Sequence, residues 1–284
     1  MFIDAHTHAY QPQDLPVMTS RLQVLDAVLP DDSPHKWRLY HGGLLEDLVA
    51  AMDVAEVDQA VLLPLTSRPA RVSDLNRWAA RAAATEPRII PFGTLHPEGD
   101  WACDLAELAR LGIKGVKLHP FTQRFELSHP AVGPLLAAVA ERGLPLLLDT
   151  LETGRLVRAK PHLHWLEQVI GVTGVRTRDV VRLAREHPTL TIIAAHMGSL
   201  YGWDRVQPLM ELDNVFFDLA YVAGLLPDEQ VVSLVRQKGV ARVIYGSDAP
   251  WRDMAAFRTW FEGLGFSPAE QEALAAGNLL GLLA

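Results

Sequence analysis

Short apolar runs alternate with amphipathic stretches from one end of the chain to the other. The runs are Phe2–Ala5, Gln59–Pro64, Ile89–Leu95, Gly115–His119, Pro145–Asp149, Leu190–His196, Val215–Asp218 and Val243–Ser247. Each is brief and mostly apolar, as expected of a parallel strand covered on both faces. Between them, Leu45, Leu48, Val49 and Met52 form one helical stripe, and Val231, Val232, Leu234 and Val235 form another. Gly239 stands where a helix C-cap belongs, Thr177 and Pro227 stand near helix starts, and Pro188 stops a helix expected over Asp179–His187. The alternation predicts an α/β fold, a single (β/α)₈ TIM barrel forming one domain over residues 1–284. An open doubly wound sheet shares the alternation but normally carries a Gly-rich turn after its first strand. Here that strand runs into His6-Thr7-His8 instead.

Two connections are longer than the rest, from Tyr10 to Gly42 and from Leu151 to Arg176. Both follow strand C-termini, the face on which barrel enzymes keep their active sites, so both are expected to shape the pocket.

Composition narrows the class. With 284 residues, 49% of them hydrophobic, the chain can bury a large core. Its one cysteine, Cys103, excludes an internal disulfide and a paired-cysteine zinc site, and a reducing, cytoplasmic setting is expected. The opening MFIDAHTHAY has no basic and no apolar region of a signal peptide. Apolar runs such as Leu144–Leu148 fall far short of the roughly 20 residues that span a bilayer. The net charge of −8 is spread without a basic stripe, so solubility is its simplest reading and nucleic acid is not expected as a partner. The expected partner is a small-molecule substrate, with no membrane; a homo-oligomer is compatible with the sequence.

The chemistry lies in where polar residues fall. His6 and His8 close the first strand, His119 the fourth, Asp149 the fifth, His196 the sixth and Asp248 the eighth. Strand C-termini of a barrel converge on one point, and imidazoles and carboxylates are ligands that zinc accepts. Histidines spaced i, i+2 on a strand point the same way, so His6 and His8 can grip one ion. One such residue alone is usually a hydrogen-bonded structural histidine; their joint placement is the signal.

Ile3-Asp4-Ala5-His6-Thr7-His8 resembles the Asp-x-His-x-His opening of the amidohydrolase superfamily. Gly115-Val116-Lys117-Leu118-His119-Pro120, Ala195-His196-Met197-Gly198 and Tyr245-Gly246-Ser247-Asp248-Ala249-Pro250 are similar to its later strand-end motifs. Gly277-Asn278-Leu279-Leu280-Gly281-Leu282-Leu283 resembles the tail of its amidohydrolase-related branch, which also contains metal-dependent decarboxylases and lactonases. The resemblance covers essentially the whole chain. It implies a divalent cofactor, zinc first with manganese or magnesium as alternatives, held by His6, His8 and Asp248. It makes His196 a contact to the metal or the reacting oxygen, and Asp248 also the proton-transfer residue.

One position departs from the branch. Where an apolar run followed by His-Thr is usual, Leu146-Leu147-Leu148 runs into Asp149-Thr150. Asp149 is read as a replacement ligand, which tilts preference toward manganese or magnesium. The alternatives are His119, the loop pair His162 and His164, or a degraded metal site.

Lys117, two residues before His119, is read as a catalytic anchor for a substrate carboxylate, against a plain buried ion pair. His119, Arg124 and Trp251 are assigned to substrate binding, Asp218 to supporting an active-site group, and His96 to a helix-entry turn. The activity expected first is metal-dependent hydrolysis of an amide, lactone or ester, with Asp248 shuttling the proton and His196 polarising the carbonyl. Decarboxylation of an aromatic or enoic acid is the alternative on the same scaffold. A metal-free, non-catalytic barrel is the third.

Overall fold

The computed structural model describes the backbone of residues 1–284 and the side chains of all but residues 17 and 21–24. The strands are β1 (Ile3–Thr7), β2 (Gln59–Leu62), β3 (Ile89–Pro91), β4 (Gly93–Thr94), β5 (Val116–Leu118), β6 (Leu146–Leu148), β7 (Ile192–Ala194), β8 (Val215–Asp218) and β9 (Val243–Ile244). All eight expected strand positions are occupied, but the third splits at Phe92 into β3 and β4. There the backbone changes partners: Phe92 N donates to Leu62 O at 3.2 Å, whereas Gly93 N donates to Gly115 O at 2.9 Å.

Neighbouring strands pair in parallel in the order β1-β2-β3 and β4-β5-β6-β7-β8-β9. The strand ladder is therefore not one unbroken ring. The seam between β9 and β1 is carried by Ala5 N to Tyr245 O at 3.0 Å, Asp248 N to His6 O at 2.8 Å and His8 N to Ala249 O at 2.7 Å. The architecture is that of a TIM barrel, as the sequence pattern predicts.

Alternation along the strands makes two hydrophobic layers. Ile3, Ala5, Val61, Leu63, Ile90, Phe92, Leu147 and Ile193 form one cluster, joined by Ala276 and Leu279 from the C-terminal helical segment. The larger cluster lies between strands and helices and includes Leu48, Met52, Leu135, Val180, Val231 and Phe257. The expected stripes sit on helices Leu45–Ala55 and Asp228–Lys238, and the helix expected over Asp179–His187 runs Thr177–Glu186. Gly239, at φ 90°, follows the second of these as a C-cap.

The two long connections differ from plain loops. The first contains a helix, Leu15–Leu25, and the second contains helices Thr153–Ala159 and Leu166–Ile170. They are fastened together by buried Asp26, which binds Lys160 Nζ at 2.6 Å and His162 Nε2 at 2.8 Å. Lys160 Nζ also lies 3.7 Å from the centre of the Trp37 ring. No helix among the described residues is long and apolar enough to cross a membrane.

Candidate active site

Strand ends and their bends bring the polar residues together. The register between β1 and β2 shifts between Asp4 and Thr7. Ile3 and Ala5 belong to the interior cluster below, yet His6 and His8 both reach Asp248 above. The irregularity thus turns His6 inward where strict alternation from Ala5 would turn it out. Asp4 pins the arrangement: its buried Oδ1 accepts from His6 N at 3.1 Å and Ser247 N at 2.9 Å. Burial raises the Asp4 pKa to about 7 against those two bonds. His196 and Asp248 occupy the left-handed region, with φ of 56° and 72°. Such backbone is sparsely populated by non-glycine residues and clusters at functional sites.

His6, His8 and Asp248 each offer a ligand atom within 4.8 Å of the others, all three residues being buried. His6 Nδ1 is 2.8 Å from Asp218 Oδ2, and His8 Nδ1 is 2.9 Å from Leu63 O. An acceptor at Nδ1 places the proton there, so each Nε2 keeps its lone pair toward the centre. His6 Nε2 lies 3.6 Å, and His8 Nε2 3.3 Å, from Asp248 Oδ1. Burial, and then the Lys117 charge, hold His6 neutral, its pKa well below the usual histidine value. Burial pushes Asp248 upward, but the surrounding imidazoles, with the charged His196 among them, outweigh it and keep this carboxyl more acidic than usual. These residues suit a divalent cation.

Asp149 stands apart from that trio. Its Oδ2 is 3.0 Å from His196 Nε2, and its Oδ1 is 3.4 Å from His119 Nδ1 and accepts from Leu151 N at 2.9 Å. Both Asp149 oxygens are engaged by side chains and backbone of the neighbouring strand ends, and Asp149 does not group with His6, His8 and Asp248. His196 Nδ1 meets the carbonyl of Ala220 at 2.9 Å. Both ring nitrogens of His196 thus face acceptors, which requires a proton on each. In keeping with this, burial opposes the His196 charge but Asp149 overcomes it, raising the pKa to about 9.

Lys117 is fully buried beneath the site, with Nζ 3.2 Å from His6 Nε2 and 3.9 Å from Asp149 Oδ2. Burial lowers its pKa despite nearby carboxylates. Asp218 supports both His6 and the His196 backbone amide, the latter at 2.7 Å, as the supporting role requires.

A cavity of about 550 Å³ opens above these groups. His8, His119, Asp149, His196, Asp248 and Trp251 line it, and both long connections contribute wall residues, among them Tyr10 and Trp37 from the first and Leu151 from the second. Trp251 Nε1 donates to Tyr10 Oη at 3.1 Å. Arg124 is not among the lining residues: it is exposed, at φ 62°, at the C-cap of the helix Pro120–Gln123. His162 is paired with Asp26 and His164 is exposed, so neither loop histidine enters the site. His96 Nε2 lies 3.0 Å from Gln123 O, the structural role expected of it. The sequence reading missed Tyr221, Arg68 and Arg71 on the cavity wall. Only their place after strand ends, two residues past Asp218 for Tyr221's neighbour Ala220, hinted at it.

An amidohydrolase family model matches residues 3–278. No curated protein matches the chain in sequence. Solved structures similar to it include an uncharacterised TIM-barrel protein from Bordetella bronchiseptica, with TM-score 0.73, 17% identity, and coverage of 99% of this chain and 98% of that one. The 5-carboxyvanillate decarboxylase of Sphingomonas paucimobilis gives 0.72 at 18% identity, covering 99% and 98%. A manganese-bound dihydroxybenzoic acid decarboxylase from Polaromonas gives 0.70 at 19% identity, covering 99% and 96%. At these identities the likeness establishes the fold.

Proposed function

The chain belongs to the amidohydrolase family, and from that premise we propose that it is a divalent-metal-dependent decarboxylase of an aromatic or enoic acid. The observation that carries this reading is the pair of acceptors on His196, Asp149 at one ring nitrogen and the Ala220 carbonyl at the other, beside the trio His6, His8 and Asp248. Loss of CO₂ breaks a C–C bond and leaves the electron pair on carbon, which then takes a proton. A site that keeps a charged donor next to its metal ligands suits that demand better than it suits hydrolysis. Two of the similar structures, moreover, are decarboxylases of hydroxylated aromatic acids.

His6, His8 and Asp248 would hold the ion, which when bound would polarise the substrate carboxylate and its neighbouring oxygen. Manganese is bound in one of the similar structures, and it is our first choice over zinc. Lys117 lies under the centre and supplies positive charge for an anionic substrate. His196 sets its positive charge and its proton store beside the ligand trio, while Asp149 keeps that imidazole charged and oriented. His119 and Trp251 contact the ring from the wall. Hydrolysis is the second reading, favoured by the place of Asp248: its carboxylate lies beside both ligand imidazoles, where it could orient a water at the ion.

The test is product analysis with metal-loaded protein on a panel of hydroxybenzoates, enoic acids, lactones, esters and amides, run in D₂O and separately in ¹⁸O-labelled water. Decarboxylation releases CO₂ and leaves one deuterium on the product carbon. Incorporation of ¹⁸O into a product without CO₂ release would replace this reading with hydrolysis.

A further inference from the structure

Leucine and tryptophan recur in the two long connections and just past the strand ends, outside the runs that build the barrel. They form a third hydrophobic cluster, with Leu151, Leu163 and Leu200 buried in it and Leu25, Trp37 and Trp251 packed against it. The cavity cuts into this cluster, since Leu25, Trp37, Leu151, Leu200 and Trp251 all line it. Apolar surface left facing water costs free energy in proportion to its area, so an apolar body in the cavity completes the cluster.

This wall begins at the candidate metal centre. Trp251 N donates to Asp248 O at 2.8 Å, and its Nε1 donates to Tyr10 Oη at 3.1 Å. The Tyr10 ring in turn lies nearly parallel to that of His8, with centres 6.5 Å apart. Leu151 N donates to Asp149 Oδ1 at 2.9 Å, and Leu151 pairs with Leu200 in a short parallel bridge. Trp37 is fixed before any ligand arrives: its N donates to Asp26 Oδ2 at 2.8 Å, and Lys160 Nζ lies 3.7 Å from its ring centre. A wall held in this way loses little freedom on binding.

The polar lining above the floor gathers chiefly across the barrel, after β1 and β2. There Arg71 Nη2 donates to Gln11 Oε1 at 2.6 Å and to Asp14 Oδ2 at 3.2 Å, and Gln13 Nε2 donates to the same Gln11 oxygen at 2.7 Å. With the split third strand counted once, β2 stands opposite β7, the strand that Leu200 follows. The cavity is therefore two-sided. Its volume of about 550 Å³ is of the size that encloses drug-sized ligands, and a single-ring acid leaves much of it unfilled.

We propose that the substrate acid carries a bulky apolar substituent, comparable to a second ring, which the wall of Leu25, Trp37, Leu151 and Leu200 receives while the carboxylate lies at the trio. This deepens the decarboxylase reading, on which the fate of that carboxylate rests. Area and shape select such a substituent, and because it is uncharged its contribution does not weaken with salt.

The experiment titrates manganese-loaded protein by calorimetry with benzoate and with the 2-, 3- and 4-isomers of biphenylcarboxylate. Wild type should bind at least one biphenyl isomer more tightly than benzoate by about tenfold or more, at low and at high salt. Leu200→Phe and Leu25→Trp fill the apolar side and should cut that preference at least about fivefold, with benzoate affinity changed less than about twofold. Leu25 is half-buried, so its replacement is tolerated even where Leu200→Phe disturbs the cluster. Gln13→Trp, on the polar side, should leave the preference in place. A wild type that gains nothing from the second ring would overturn the proposal. So would a preference that survives both filling variants, equal loss of benzoate in both, or an equal fall in Gln13→Trp. Binding is scored without turnover, so a protein that shows the wall-dependent preference but releases no CO₂ from any acid refutes the decarboxylase reading alone.

Discussion

Asp149 Oδ2 sits 3.0 Å from His196 Nε2, joining the ends of β6 and β7 across the floor of the cavity. On our reading this contact commits Asp149 to His196 and leaves the ion to His6, His8 and Asp248.

Metal content tests this division of labour. His6→Ala or His8→Ala should lose the ion, because each removes an inward Nε2 of the trio. Asp149→Ala should retain about one equivalent, as His6, His8 and Asp248 still supply three ligands. Elemental analysis of the variants after gel filtration reads this directly. Loss of metal in Asp149→Ala would return Asp149 to the ligand set.

Lys117 sets a second expectation. Its Nζ is 3.2 Å from His6 Nε2, so an ammonium repels a cation bound at that nitrogen. Lys117→Met should tighten metal binding by at least about tenfold, as like charges a few ångström apart cost more than 1 kcal/mol even at a high effective dielectric. Turnover should fall in the same variant through loss of the substrate anchor. Chelator competition gives the affinity, and unchanged affinity would show that Lys117 is neutral in the metal-bound protein.

A third expectation concerns Gly246. A Cβ there would lie 2.8 Å from His6 Cβ and 3.1 Å from His6 N. Neither atom can swing aside, since the His6 ring is tied to Asp218 and its amide to Asp4. Gly246→Ala should therefore cost about 1–3 kcal/mol and impair metal retention together. A thermal melt with and without manganese checks both, and an unchanged midpoint in both conditions would refute the close-packing argument.

Much of this was legible in the sequence for a physical reason. Parallel strands must be apolar throughout, so Leu146–Leu148 and Ile192–Ala194 announce themselves, and polar residues just past them stand out as Asp149 and His196. What escaped depends on geometry that composition does not encode. The break at Phe92 is a change of hydrogen-bond partner, invisible in an apolar run. Arg124 looked suited to an anion until the left-handed turn at φ 62° left it exposed outside the cavity. Asp149 kept the position of a ligand while its partners made it a support for His196. The Asp26–Lys160 contact joins residues 134 apart in the chain, and neither local pattern hints at the other.

That last pair yields a pH dependence. Burial lowers the Lys160 pKa to about 8, although Asp26 favours its charged form. In the unfolded chain the group keeps its ordinary value of 10.5. Between these two values the unfolded state binds more protons, so this site makes stability rise with pH, by at most about 1.4 kcal/mol per unit. Below pH 8 both states are charged and the site contributes no slope. Lys160→Met should abolish the gain between pH 8 and 9.5 that denaturant melts of the wild type show. Asp26→Asn should act in the opposite sense to a neutral exchange: it leaves Lys160 buried without its anion, at a cost of about 3 kcal/mol or more near neutral pH, and moves the rising limb to lower pH. A wild type and Lys160→Met with parallel stability profiles would show that Lys160 titrates normally, and that the clasp between the two long connections is held by packing on Trp37 rather than by charge.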